Sequence, residues 1–165
     1  TAIKLLQCTV ALSHIVMMIL ALSGDVHPNP GPNDGRDISI CHVNVRSLGA
    51  EGRMENIRCD LADHHDIIAV TETWLLPTDE TTKFNLPGFQ SPYRKDRNFG
   101  QLGYGGVLSW VSENISCKRR YDLEVQGMES IWLEIGSSNN KFLLCAIYRT
   151  NSNSSFAFCD QLQDN

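Results

Sequence analysis

Residues 38–48 read ISICHVNVRSL and residues 66–75 read DIIAVTETWL, and these two stretches decide the fold. Each begins with an apolar run typical of a buried strand and ends on a polar residue, Asn44 in the first stretch and Glu72 in the second. Between them, residues 54–63 repeat apolar side chains with a helical period. A strand, a helix and a second strand at this spacing predict a right-handed βαβ unit with parallel strands.

Asn44 and Glu72 are therefore predicted to be neighbours. The two strands of such a unit end at the same edge of the sheet, which is where ligands usually bind. A carboxylate beside a carboxamide offers the oxygen ligands that a hard cation such as Mg²⁺ prefers. The pattern predicts a divalent-metal site at this edge, with Glu72 and Asn44 as its protein ligands.

The second half of the chain is predicted to be antiparallel. Residues 131–135 alternate apolar and polar side chains, and residues 141–149 form a largely apolar run. The polar stretch 137–140 between them is typical of a hairpin turn. A parallel unit followed by an antiparallel meander places the chain in the α/β class.

Three short motifs resemble signatures of the exonuclease–endonuclease–phosphatase superfamily. They are NVRSL at 44–48, TETWL at 71–75 and IYR at 147–149, in that order. The resemblance is closer to the endonuclease domain of non-LTR retrotransposons of the CR1/L2-like kind. It implies that residues 38–165 are the N-terminal part of the four-layer α/β sandwich of that fold, with residues 1–37 outside it as an apolar helical leader and Pro-rich linker.

The resemblance also implies a reaction, which is Mg²⁺- or Mn²⁺-dependent nicking of target DNA for target-primed retrotransposition. In this scheme Glu72 binds the metal ion, Asn44 orients the phosphate or the base-side partner, and Tyr148 donates a hydrogen bond to the phosphate. The family has two later motifs, Asp-x-Asn and Asp-His, and neither can be matched after Tyr148. We therefore expect half an active site that is weak or inert alone. Its partners would be DNA, a C-terminal half and a reverse-transcriptase region of a parent polyprotein.

Basic and aromatic residues near these motifs are candidates for contacts with nucleic acid. Arg94, Lys95 and Arg97 form the most basic cluster of the chain, and with the neighbouring Tyr93 this cluster could follow a phosphate backbone. A solvated surface loop is the alternative interpretation of this segment. Arg46 and Arg149, each inside a motif, complete the candidate set. The net charge of −5 and the pI of about 5.4 give this function little support, because autonomous DNA-binding domains usually have a basic surface.

The six cysteines have neither CxxC pairs nor the spacing of a zinc site. Several of them fall in apolar strand patterns. They are therefore interpreted as buried free thiols in a reducing compartment.

The leader contains two further patterns. An apolar run begins at Leu5 and ends at Leu22, which is borderline for a membrane span and also compatible with a secretory signal. Residues 23–32, SGDVHPNPGP, resemble a 2A-type ribosome-skipping peptide whose core here is Asp25, Val26, Asn29, Pro30, Gly31 and Pro32. The resemblance implies that the peptide bond between Gly31 and Pro32 is not formed during translation. The alternative is a Pro-rich linker in turn and polyproline conformations.

Three other functions compete with the endonuclease hypothesis. The chain could be a non-catalytic remnant of the family that binds nucleic acid or protein. It could be a phosphatase of the same superfamily. It could also be secreted or membrane-anchored through residues 5–22, with glycosylation in the sequon at Asn114. The endonuclease hypothesis itself predicts an intracellular protein, cytoplasmic and nuclear, with membrane contact only if the leader is retained.

Overall fold

A computed structural model of the chain describes residues 37–97, 104–137 and 140–149. The predictions for the leader, including the apolar run and the ribosome-skipping peptide, fall outside these residues. None of the helices within the described ranges is long and apolar enough to cross a membrane.

The predicted βαβ unit is present. It consists of β1 (Ile40–Asn44), a helix α1 (Arg53–Ile57) that continues as a π-helical turn (Arg58–Ala62), and β2 (Ile67–Thr71). The two strands pair in parallel with Asn44 opposite Thr71, which confirms the predicted direction. The apolar side chains of residues 54–63 pack against the core as predicted, with Ile57 buried and Met54, Leu61 and Ala62 partly buried.

Two sheets build the described structure. The first has the order β1-β2-β4-β3, where β3 (Tyr93–Lys95) and β4 (Val107–Val111) are antiparallel additions to the parallel pair. The second has the order β5-β6-β7 and is antiparallel throughout, with β5 (Cys117–Arg119), β6 (Glu129–Ser137) and β7 (Asn140–Tyr148). The predicted antiparallel pairing of residues 131–135 with the run at 141–149 is thus confirmed, and the centre of the predicted turn, at residues 138–139, lies outside the described residues. Two short 3₁₀ turns, Thr81–Phe84 and Tyr121–Leu123, lie in the connections.

Every residue of β2 is buried because both faces of the first sheet are covered. On one face Ile68 and Val70 pack with α1 and the connection carrying Phe84. On the other face Ile67 and Ala69 pack against the second sheet. A third, smaller cluster lies on the far side of β6 and β7, with Met128, Cys145 and Ile147 at its centre. The order of layers is therefore helix and connections, first sheet, second sheet.

The cysteines of the described ranges are free thiols. Cys41 and Cys145 are buried, Cys117 is half-buried and Cys59 is exposed. Burial raises the pKa of Cys41 and of Cys145 to about 12. The interpretation as buried thiols holds for these two residues and is wrong for Cys59.

Candidate active site

The edge where β1 and β2 end continues as a pair of hydrogen-bonded segments. The amides of Val45, Ser47 and Leu48 donate to the carbonyl oxygens of Thr71, Glu72 and Thr73 at 3.0, 2.9 and 2.8 Å. This ladder carries the parallel pairing beyond both strands. It holds the segment that follows Asn44 directly against Glu72.

Backbone strain is concentrated at the same edge. Among the described residues other than glycine, positive φ angles occur at Arg46 (44°), Ser47 (82°), Glu72 (56°) and Trp74 (54°). Such angles are uncommon for L-residues and are outliers for a bulky side chain. Residues held in this way persist only where the surrounding structure fixes them, and they cluster at functional sites.

A third segment closes the edge from the other side. The amide of Trp74 donates to the carbonyl of Gly105 at 2.9 Å, and the amide of Thr73 donates to that of Gly106 at 3.4 Å. Thr73 is fully buried, and its Oγ1 lies so close to Gly106 that a Cβ at that position would collide with it. Gly105 and Gly106 also have φ angles of 103° and 86°, which favour glycine. The glycines allow the backbone to approach the segment that carries Glu72.

Tyr148 reaches this edge from the second sheet. Its hydroxyl donates a hydrogen bond to Oε1 of Glu72 at 3.3 Å. Burial, followed by the charge of Glu72, raises the pKa of Tyr148, although Arg97 opposes the shift. The phenol is therefore protonated at neutral pH and acts as a donor.

The ion pair between Arg97 and Glu129 lies beside Tyr148. Arg97 Nε donates to Glu129 Oε1 at 2.5 Å, and the guanidinium carbon of Arg97 lies 5.4 Å from the centre of the Tyr148 ring. Glu129 stands opposite Tyr148 in the β6–β7 pairing. Its Oε2 accepts the amide of Gly106 at 2.5 Å. One buried carboxylate thus fixes both the arginine beside the tyrosine and the glycine segment beside Glu72.

Sequence reasoning placed Arg97 only in the basic cluster, and it did not assign Glu129 or the two glycines to the site. The signal available for Glu129 is an acidic residue at the start of an alternating strand. Only the fold brings these residues together, because they come from three separate segments of the chain.

Asn44 and His42 make local contacts at the end of β1. The amide of Arg46 donates to Asn44 Oδ1 at 3.3 Å, which forms a short turn after the strand. His42 Nε2 shares a hydrogen bond of 3.2 Å with Thr71 Oγ1, and burial lowers the pKa of His42. His42 is therefore satisfied by its neighbouring strand.

The predicted basic cluster at 93–95 is not a solvated loop. These residues form β3, and the side chain of Arg94 is only 9% exposed. Arg94 donates to Asp96 Oδ1 at 2.7 Å, to the carbonyl of Asp79 at 2.6 Å and to the carbonyl of Leu76. Its guanidinium holds the connection after Glu72, which corrects the prediction that it follows a phosphate backbone.

The other nucleic-acid candidates differ in accessibility. Tyr93 is half-buried and donates to Gln90 Oε1 at 3.0 Å, and Lys95 Nζ pairs with Glu124 Oε2 at 2.9 Å. Arg46 is exposed at the strained edge, beside the ladder described above. Arg149 directly follows β7 and is half-buried.

The donor atoms at the edge supply part of the coordination shell of a divalent cation. Glu72 supplies one half-buried carboxylate and Asn44 one carbonyl oxygen. Among the described residues, no group of three or more His, Cys, Asp or Glu side chains could enclose a metal ion. This donor set suits Mg²⁺, which commonly takes one or two carboxylates and completes its shell with water and substrate phosphate.

Comparison with solved structures identifies the fold. The chain is similar to the crystal structure of AP endonuclease LMAP from Leishmania major, with a TM-score of 0.57 and 15% sequence identity. The match covers 88% of this chain and 49% of that one, so the chain spans about half the length of that enzyme. The predicted α/β class is thus confirmed, and the mixed α/β architecture with its two sheets is similar to the fold of that AP endonuclease. No protein-family model and no curated protein sequence matches the chain.

Proposed function

We propose that the chain is the N-terminal part of a Mg²⁺- or Mn²⁺-dependent DNA endonuclease. The observation that carries the proposal is the contact between Tyr148 and Glu72 at the strained edge of the parallel pair. Three independent motifs converge there in a fold similar to that of an AP endonuclease. The substrate would be a phosphodiester of target DNA, nicked for the retrotransposition of a CR1/L2-like element.

In this proposal each residue at the edge has a separate role. Glu72 and Asn44 hold the metal ion, which when bound would offset negative charge on the phosphate. Tyr148 keeps the Glu72 carboxylate in place through its hydroxyl. Arg97 and Glu129 lock the position of Tyr148, and the buried Thr73 anchors the backbone next to Glu72.

The general base would come from residues outside those that the structure describes. The family resemblance places it in motifs that follow the third one along the chain. We therefore propose that the isolated chain binds metal and DNA but nicks weakly or not at all. The C-terminal half and the reverse-transcriptase region are its proposed partners in one polyprotein.

The metal site can be tested without activity. Mn²⁺ titrated into the ¹⁵N-labelled chain should broaden the backbone amides of residues 44–46 and 71–73 and leave those of β5 sharp. Glu72→Gln should abolish the broadening. The matched control is Glu113→Gln, an exposed carboxylate after β4, which should leave the effect unchanged. Broadening that persists in Glu72→Gln would overturn the metal assignment.

The reaction needs a second test in the longer protein that includes the proposed C-terminal half. Supercoiled plasmid should be converted to nicked circles in the presence of Mg²⁺, and Glu72→Gln should remove the activity. Binding of plasmid without Mg²⁺-dependent nicking would instead favour a non-catalytic remnant of the family. Release of phosphate from phosphomonoesters would favour the phosphatase alternative.

The leader carries a separate proposal that rests on sequence alone. We propose that residues 25–32 cause ribosome skipping between Gly31 and Pro32 and that the downstream product stays inside the cell. Residues 1–37 placed between two reporters should give two products in cell-free translation. Pro32→Ala should give one fused product. A glycosylated downstream product in the medium of secreting cells would support the secreted alternative and reject this one.

A further inference from the structure

An aromatic pair lies beside the edge that carries Glu72. The rings of Trp74 and Tyr104 meet edge to face, with centroids 4.9 Å apart and an angle of 86° between their planes. Trp74 is half-buried, and Tyr104 is 52% exposed. The pair therefore presents aromatic surface to the solvent next to the candidate active site.

The position of Trp74 is not explained by core packing. Neither ring belongs to the three buried clusters formed by the described residues. Trp74 also has a φ of 54°, which is strained for a bulky side chain. A half-buried tryptophan that lies outside the core on a strained backbone suggests that its location serves a ligand.

The backbone fixes the pair relative to Glu72. Trp74 is two residues after Glu72, and its amide donates to the carbonyl of Gly105, the residue next to Tyr104. The same glycine segment is held by Glu129 through the amide of Gly106. Both rings are thus attached to the segments that build the candidate active site.

We propose that Trp74 and Tyr104 form a stacking platform for an unpaired nucleobase of the DNA substrate, next to the phosphate at Glu72. This inference rests on the proposed function. In a duplex the faces of a base are covered by its neighbours, so only an unpaired or extruded base can stack on a protein ring. Stacking tolerates any base, since every base has a π-face.

The negative net charge of the chain makes affinity from base stacking important for DNA binding. A net charge of −5 limits the affinity that phosphate contacts can supply. Stacking does not depend on the release of counterions, and it therefore contributes affinity that salt does not screen. The platform would select substrates with an unpaired base near the cleavage position.

The test is a double-mutant cycle between the protein ring and the base, with binding as the readout. Short single-stranded oligodeoxynucleotides, each with an abasic site at a different position, are titrated with the wild-type chain and with Tyr104→Leu. Leucine keeps apolar contact with Trp74 but removes the ring. Tyr104→Phe keeps the ring, and Tyr121→Leu removes an exposed tyrosine on another part of the surface, 69% exposed.

Tyr104→Leu should weaken binding of the intact oligonucleotide about tenfold. In one of the oligonucleotides the abasic site should replace the base that stacks on the platform. That oligonucleotide should bind the wild-type chain about tenfold more weakly than the intact one does, whereas Tyr104→Leu should bind the two almost equally. Tyr104→Phe and Tyr121→Leu should bind like the wild type. Equal effects of the abasic sites on wild type and Tyr104→Leu at every position would overturn the platform alone. Absence of any DNA binding by the wild-type chain would overturn the proposed function together with it.

Discussion

The hydroxyl of Tyr148 donates a hydrogen bond of 3.3 Å to the carboxylate of Glu72, a residue 76 positions earlier in the chain. Glu72 follows an inner strand of the first sheet, and Tyr148 ends an outer strand of the second. The bond therefore joins the two sheets at the edge where the parallel strands end. It also fixes one oxygen of the carboxylate that we propose as metal ligand.

Replacement of Tyr148 by phenylalanine tests this bond. The variant keeps the ring over which Arg97 lies and loses only the hydroxyl, so Glu72 is left without that donor. We expect Mg²⁺-dependent nicking by the longer protein to fall about 100-fold, by analogy with the loss of one fixed donor in other active sites. Stability in urea should change by less than about 1 kcal/mol.

Tyr121→Phe is the matched control, because that hydroxyl is exposed and belongs to another part of the surface. It should leave both nicking and stability unchanged. Tyr148→Phe with wild-type nicking would show that the contact with Glu72 has no part in the reaction.

The elements that sequence patterns predicted are those whose signal is local. Residues 40–44 and 67–71 have apolar runs of strand length, and the parallel geometry then requires that Asn44 and Glu72 share an edge. The predicted exposure of Arg94 is wrong because its contacts are with residues distant in the sequence. A basic residue in a polar stretch is usually solvated, and only the folded chain brings carbonyl oxygens of residues 76 and 79 to its guanidinium.

The contacts that Arg97 and Glu129 make near Tyr148 could not be predicted either, because only the folded chain brings these residues together. Arg97 and Glu129 are 32 residues apart, and no periodicity connects them. Their pairing follows from the register in which Glu129 stands opposite Tyr148. The left-handed backbone at Glu72 and Trp74 is also invisible in the sequence, because the residue types at these positions ordinarily avoid it.

Removal of Arg97 should destabilise the fold strongly. The side chains of Arg97 and Glu129 are only 15% and 10% exposed, so Arg97→Met leaves a buried carboxylate without its partner. The expected loss in the free energy of unfolding is about 3 kcal/mol. Glu129→Gln in the Arg97→Met background should recover part of it, because the amide oxygen can still accept from Gly106.

Arg120→Met provides the comparison. Arg120 pairs with Asp122 and Glu134 at side chains that are 60% and 21% exposed. Exposed pairs contribute little, and this variant should lose less than about 1 kcal/mol in the same urea titration. Equal losses for the two arginines would contradict the role given to the buried pair.

Comparison of Gly106→Ala with Gly127→Ala should separate the cost of a steric collision from the cost of backbone strain. Gly106 and Gly127 both have a φ of 86°, but a Cβ at Gly106 would meet Thr73 Oγ1, whereas one at Gly127 would meet nothing within 4 Å. Gly127→Ala should therefore cost about 1 kcal/mol from the left-handed conformation alone. Gly106→Ala should cost about 2 kcal/mol more because Thr73 is fully buried and cannot move aside freely. Chemical denaturation of both variants checks the difference, and equal costs would show that the contact with Thr73 is loose.

Alkaline pH should weaken the fold through Cys41. Burial raises the pKa of Cys41 from 9.0 to about 12, so above pH 9 the unfolded chain releases this proton while the folded chain retains it. Stability from this group is fully present below pH 9 and is lost as the pH rises toward 12, by about 1.4 kcal/mol per pH unit. Cys41→Ala removes this contribution, and its stability should fall less steeply with pH than that of the wild type.

Val45→Ala, a truncation in the same buried cluster without a titrating group, should keep the wild-type slope. Urea titrations at several values between pH 9 and about pH 11 measure the three slopes, and parallel lines for all three proteins would mean that the Cys41 thiol ionises as readily in the folded chain as in the unfolded one.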